Sequence, residues 1–199
     1  ERNADVVLLL DTLSDCGTPP HSTLDQGVRA AASLAQAYLA RKDRVGFLEF
    51  GGYLRWIGPG TGRRQAEALI EALLPSATHF SYVAPRLDRL PPRVLPPRAL
   101  VLALSPLLDK RFADALADLT ARRFDVIVVA MSPAEATRRS LAPTAAEDLA
   151  CRLWTLEWQA ALDRLRQQGI IIVEWDGIAP LEAVLAPLAR TRLRSAVRS

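Results

Sequence analysis

The sequence predicts a doubly wound α/β domain: a central, mostly parallel six-stranded sheet with helices on both faces. Three observations carry this. Short apolar runs alternate along the chain with longer stretches of helical spacing, the pattern of parallel β-α-β units. The first run, residues 5–10, is apolar almost throughout, as in a strand covered on both faces. It leads into an acidic, hydroxyl-bearing stretch, Asp11-Thr12-Leu13-Ser14-Asp15, at the position where open α/β sheets place ligand sites.

The remaining elements follow in order. Residues 24–40 are Ala-rich with Leu34 and Leu39, and Ser22 or Thr23 can cap that helix. Residues 44–50 form the second strand and 53–57 the third; Gly51-Gly52 between them makes a tight turn. The third strand is therefore antiparallel to the second and lies at an edge. Ala66, Leu69, Ile70, Leu73 and Leu74 mark a helix over 63–74. Residues 80–90 read as a shorter helix whose first turn is interrupted by Pro85. Pro91-Pro92 and Pro96-Pro97 form a stiff connector into the fourth strand, 99–104. A helix over 112–122, with Leu116 and Leu119 inward, precedes the fifth strand, 125–130. A long helix over 145–168 carries Leu149, Leu153, Leu156, Leu162 and Leu165 as its apolar side and stops at Gly169. The last strand is 170–175, and a helix over 180–193 begins at Pro180. The 199 residues are expected to form one domain, 1–199, excised from a longer protein.

Composition excludes several function classes. No apolar run is long enough to span a bilayer, and no signal peptide is expected, since residues 1–3 lead straight into a strand pattern. The net charge is +3, and nucleic-acid binding would require basic residues gathered on one face with interleaved aromatics. The one cluster, Arg190, Arg192, Arg194 and Arg198, reads as a solvated helix end. Cys16 and Cys151, far apart, support neither a disulfide framework nor a zinc ribbon. A P-loop fails because Gly58-Pro59-Gly60-Thr61-Gly62-Arg63-Arg64 has the wrong spacing and no lysine. A dinucleotide site fails because no glycine-rich turn follows the first strand. Leu13 stands where a haloacid-dehalogenase-type phosphatase needs a second aspartate. Trp154 and Trp158, four apart on the long helix, read as core or subunit packing.

With this order of elements the chain resembles a von Willebrand factor A domain. It is most similar to the variant in the bacterial family called domain of unknown function 58, commonly encoded beside MoxR-type AAA+ ATPases. The likeness rests on residues 6–14, on 42–51 (Lys-Asp-Arg-Val-Gly-Phe-Leu-Glu-Phe-Gly), on Ser132-Pro133-Ala134-Glu135 at the place of a short Asp-Pro-x-Glu loop, and on 157–176. It implies a non-enzymatic protein-interaction module that works with a MoxR-type ATPase in protein maturation or complex assembly. It also implies a cytoplasmic domain, in relatives often anchored by membrane helices upstream.

In such domains a Mg²⁺ ion is held by an aspartate and two serines of the first loop, a threonine of a second loop and an aspartate after the fourth strand; hard cations of this kind take oxygen ligands. Carried over, Asp11 matches the first aspartate, while Leu13 replaces the first serine and Asp15 the second. Thr78 is the best match for the threonine. After the fourth strand stand Ser105 and Pro106, so the aspartate position offers no side-chain oxygen; Asp109 is expected in the following helix. The resemblance therefore implies a degenerate metal site, with Asp11, Asp15 and Thr78 as its remaining ligands; it is expected to be empty, with no bound cofactor, and Mg²⁺ is the one alternative to consider. The alternative role for Asp11 and Asp15 is to cap the following loop and helix by accepting backbone N–H bonds. The docking surface expected for a protein partner is Asp11, Ser14, Asp15, Thr78 and Ser105. A competing reading places a hydrolase or thiol enzyme at the same edge, using Cys16 with His79 or His21.

Overall fold

The computed structural model describes residues 4–79, 81–82, 85–142, 144–179, 181 and 184. The strands are β1 (Asp5–Asp11), β2 (Arg44–Phe50), β3 (Leu54–Gly60), β4 (Leu100–Ser105), β5 (Asp125–Met131) and β6 (Ile171–Trp175). The α-helices are α1 (Thr23–Ala40), α2 (Gly62–Leu73), α3 (Lys110–Ala121), α4 (Pro133–Arg138) and α5 (Ala145–Gln167). The sheet order is β3-β2-β1-β4-β5-β6. All pairs are parallel except β2 with β3, which closes one edge as a hairpin.

Strand periodicity divides the core into two layers. Val6, Leu8 and Leu10 of β1 belong to one apolar cluster with Leu34 of α1 and Leu69 and Leu73 of α2. Val7 and Leu9 belong to the other, with Phe112, Leu116 and Leu119 of α3 and Trp158, Leu162 and Leu165 of α5. Residues 6–10 are fully buried, which explains why the run lacks polar alternation. Each such side chain contributes about 1.5–3 kcal/mol through removal from water. Gly27 lets α1 sit close on β1, since a Cβ there would lie 2.9 Å from Leu10 Cδ1. The proline connector packs inward through Val94 and Leu95, both buried.

Five expectations change. Among the described residues of the helix read over 80–90, the helical part is a 3-10 turn at Leu87–Arg89. Arg86 and Leu90 are extended on either side of it, the conformation that Pro91 imposes on the residue before it. Phe80, Val83 and Ala84 of that stretch lie outside the described residues. The third strand runs to Gly60, beyond residue 57, with a register shift between Val45 and Phe47. As an edge strand it tolerates Pro59. Residues 132–135 are not a simple loop: Ser132 caps α4 by accepting the Glu135 N–H, and Pro133 occupies the first turn. Helix α3 starts at Lys110, because Asp109 caps it through the Arg111 N–H at 2.8 Å. Finally, only part of the apolar side read on α5 is buried. Leu162 and Leu165 face the core with Trp158, but Leu149, Leu153 and Leu156 are exposed. The helix expected over 180–193 and the arginines at 190, 192, 194 and 198 lie outside the described residues, apart from Leu181 and Val184.

Candidate functional site

The direction of winding reverses between β1 and β4. The β1-α1-β2 crossover moves one way along the sheet and β4-α3-β5 the other, so the carboxyl ends of β1 and β4 border the switch-point crevice. Register then fixes which side chains meet there. Leu10 pairs with Leu104, so Asp11 and Ser105 are the next residues out. Both are buried, at 2% and 0% exposure.

They close the crevice on each other. The Ser105 hydroxyl donates to Asp11 Oδ2 at 2.5 Å, and the Leu13 N–H donates to Oδ1 at 3.0 Å. Ser105 Oγ in turn accepts the Leu107 N–H at 2.8 Å. Leu107 takes a left-handed φ of 55°, and both Leu13 and Leu107 are buried in the α3/α5-side cluster. The Trp158 indole pins the same loop by donating to the Pro106 carbonyl at 2.7 Å. Trp158 is thus a core residue, as read; Trp154 is half-buried. Burial raises the Asp11 carboxyl to about 7, against the lowering effect of its bonds to Ser105 and Leu13; the nearby Asp109 charge also raises it, and Arg111 lowers it. Thr12 ties β1 to β2 through its N–H to the Phe50 carbonyl at 2.9 Å. Gly51 is required beside it, since a Cβ there would sit 2.1 Å from Thr12 Oγ1.

Asp15 turns away from Asp11. Its Oδ1 accepts the Thr23 hydroxyl at 2.9 Å and the Leu24 N–H at 2.8 Å, buttoning the loop to the start of α1. Ser22 caps that helix in a capping box with Asp25. Ser14 is half-buried, and Thr78 is exposed. Asp15 and Thr78 share an open groove of about 630 Å³ between α1 and the end of α2, together with Pro19, Asp25, Arg29 and Leu74. The predicted residues therefore separate into a buried pair, Asp11 and Ser105, and an exposed pair, Asp15 and Thr78. Asp109, expected inside a helix, is the cap of α3, and its carboxyl is held below the usual range by its bonds to the Arg111 guanidinium.

These residues do not fit a hard cation. Both Asp11 oxygens are engaged in a closed, buried network, Leu13 is packed in apolar surroundings, and the Pro106 carbonyl is taken by Trp158. Among the described residues no group of three or more His, Cys, Asp or Glu is placed to hold a metal. Calorimetric titration with Mg²⁺ and Mn²⁺ is expected to give no micromolar binding; such binding, abolished by Asp11→Ala, would overturn the assignment.

The thiol candidates are Cys16, His79 and His21. Cys16 is half-buried, and burial with the Asp15 charge pushes its thiol up, away from thiolate formation. His79 is exposed and packs at a tilt against Tyr53, ring centroids 5.1 Å apart. His21 is exposed, its backbone N–H bonded to the Thr18 carbonyl.

Two features escaped the sequence reading. Glu49, 1% exposed, pairs with Arg55 directly across the hairpin. A charge inside the run 45–50 with an opposite charge at hairpin register was the available signal. A second cavity of about 300 Å³, lined by Ser132, Glu135, Arg139, Glu174 and Asp176, lies at the carboxyl ends of β5 and β6. It gathers residues far apart in sequence, and no local motif announces it.

The sequence profile of a family described as "Protein of unknown function DUF58" matches residues 1–150. The chain belongs to the DUF58 family. The strand order of this DUF58 chain, with its antiparallel β3 edge and its loop after β1, makes the fold von Willebrand factor A-like. A solved structure of an aerotolerance-related membrane protein from Bacteroides fragilis NCTC 9343, carrying multiple mutations to serines, is similar at a TM-score of 0.42 and 14% identity, covering 64% of this chain and 67% of that one. No curated protein matches the chain significantly. Among the described residues no helix is long and apolar enough to cross a membrane.

Proposed function

We propose that this DUF58 domain is a non-enzymatic protein-interaction module whose docking surface is the loop edge beside the switch point. The observation that carries the reading is the closed Asp11–Ser105 network. It engages both Asp11 oxygens and the Ser105 hydroxyl, and it ties the loops after β1 and β4 together. A preorganised edge of this kind favours binding of a partner without ordering cost. The exposed part of the surface is the groove of Asp15, Thr78, Arg29 and Leu74, the last 77% exposed. Family resemblance supplies the partner class, a MoxR-type AAA+ ATPase acting in maturation or assembly of other proteins. Fold alone does not choose it.

Co-purification with a MoxR-type ATPase from the same genome, in the ATP and ADP states, tests the reading. Association is expected in at least one state, weakened at least about tenfold by Leu74→Glu and by Arg29→Glu with unchanged melting. Absence of association in every nucleotide state would sink it. The thiol-enzyme reading is weakened by the raised Cys16 thiol and by the packing of His79 against Tyr53.

A further inference from the structure

The exposed leucines of α5 are not scattered. Leu149, Leu153, Leu156 and Ala160 follow one another at spacings of four, three and four, the alternation of a coiled-coil seam. At 100° per residue they cluster opposite the buried face formed by Cys151, Trp158, Leu162 and Leu165. The three leucines are 58%, 55% and 66% exposed. The helix thus carries two apolar faces: one buries into the domain, the other points straight outward. The seam ends at Asp163, which stands at the next core position and is held by Arg166 at 2.8 Å.

We propose that α5 is a self-association surface, on which a second copy of this chain docks with the two helices parallel about a two-fold axis along the seam. Charge placement selects both the occupant and its direction. Arg152 flanks Leu153 on one side, and Glu157 flanks Leu156 on the other. In a parallel pair, the residue before one core position faces the residue five further along the partner helix. Arg152 of each copy then meets Glu157 of the other, twice by symmetry. In an antiparallel pair Arg152 would face Gln159 and Glu157 would face Ala150, with no charge matched. Among the described residues Arg152 pairs with Asp148 at 2.8 Å; Asp148 is also held by Arg138, and the Arg152 end of the pair is solvent-exposed, so it is weak enough to exchange. The seam covers about three helical turns, so the contact falls below the roughly 1,200–2,000 Å² of a stable interface. Association is therefore reversible and concentration-dependent. It needs no helix folding, because α5 is already held on the domain.

Sedimentation equilibrium of the chain over a concentration series, with disulfide trapping, tests this. A monomer–dimer equilibrium is expected. Leu153→Glu abolishes the dimer, and Arg152→Glu or Glu157→Arg alone weakens it about tenfold. The double reversal Arg152→Glu/Glu157→Arg returns affinity to within a few-fold of the parent. In a Cys16→Ser/Cys151→Ala background, Leu149→Cys cross-links to its own copy on oxidation. A parent chain that stays monomeric throughout overturns the proposal, as does a dimer indifferent to Leu153→Glu. Single reversals without rescue overturn the parallel register, as does a Leu149→Cys chain that cross-links only to an Ala160→Cys chain. The substituted charges and leucines are exposed, so unchanged circular dichroism is the folding control.

Discussion

Arg55→Ala is expected to destabilise the domain by about 3 kcal/mol, the lower end of the cost of breaking a buried ion pair. The Glu49 side chain is 2% exposed, and it stands one residue before the end of β2, close to the end of α2. Arg55 donates to it from across the hairpin, and one Arg55 nitrogen also reaches the Ala72 carbonyl at 2.7 Å and Ser76 Oγ at 3.2 Å. Removing the guanidinium leaves Glu49, among the described residues, with the Ser76 hydroxyl, 3.1 Å away, as its side-chain donor, and takes the Arg55 bond from the Ala72 carbonyl. The Arg55 side chain is 30% exposed, so water partly compensates; this places the effect at the low end of the range. Replacing both partners, as in Glu49→Met/Arg55→Leu, is expected to recover most of the loss, since no charge is then buried. Urea unfolding of the three chains measures both numbers. A cost under about 1 kcal/mol for Arg55→Ala would mean that the pair is solvated and not structural.

The hairpin also shows where sequence reading succeeds and where it stops. Five strands were legible as largely apolar runs and the third from the Gly51-Gly52 turn before it, and the mostly parallel arrangement followed from alternation with helices. The pair Asp11 and Ser105 was legible only as two loop positions. That they bond each other depends on strand pairing in the register Leu10 to Leu104, a long-range fact. Asp15 was assigned to the same place as Asp11, yet three intervening residues and the start of α1 carry it to Thr23 and Leu24. On α5 the leucines formed one list, although their angles define two opposite faces; periodicity counted over the whole helix hid the division. Pro85 marked the uncertain helix, and Pro91 restricts Leu90 at its other end.

Across pH 4–7 the domain is expected to lose stability as pH rises, by up to about 4 kcal/mol from Asp11 alone. The sign follows from proton uptake. In the unfolded chain the carboxyl gives up its proton near its ordinary value of 3.8, whereas burial keeps it protonated in the folded chain to about 7. Between those values the folded state holds the extra proton, so stability is full below the lower value and falls until the higher one is passed. The interval is about 3 pH units, at about 1.4 kcal/mol each. Asp109 works in the opposite sense, because Arg111 holds its carboxyl low; its contribution is lost only as pH falls below the ordinary carboxylate value, outside this window. Asp11→Asn isolates the effect. The amide keeps an oxygen for the Leu13 N–H and offers an N–H to Ser105 Oγ, and it does not titrate. Urea unfolding of both chains from pH 4 to 8.5 should show Asp11→Asn gaining on the parent as pH rises, with the difference levelling off above about 7. All groups common to both chains cancel in that difference. A difference that stays flat would mean that Asp11 ionises in the folded chain as it does in the unfolded one, and that the crevice is open to water instead of closed by Ser105, Leu13 and Leu107.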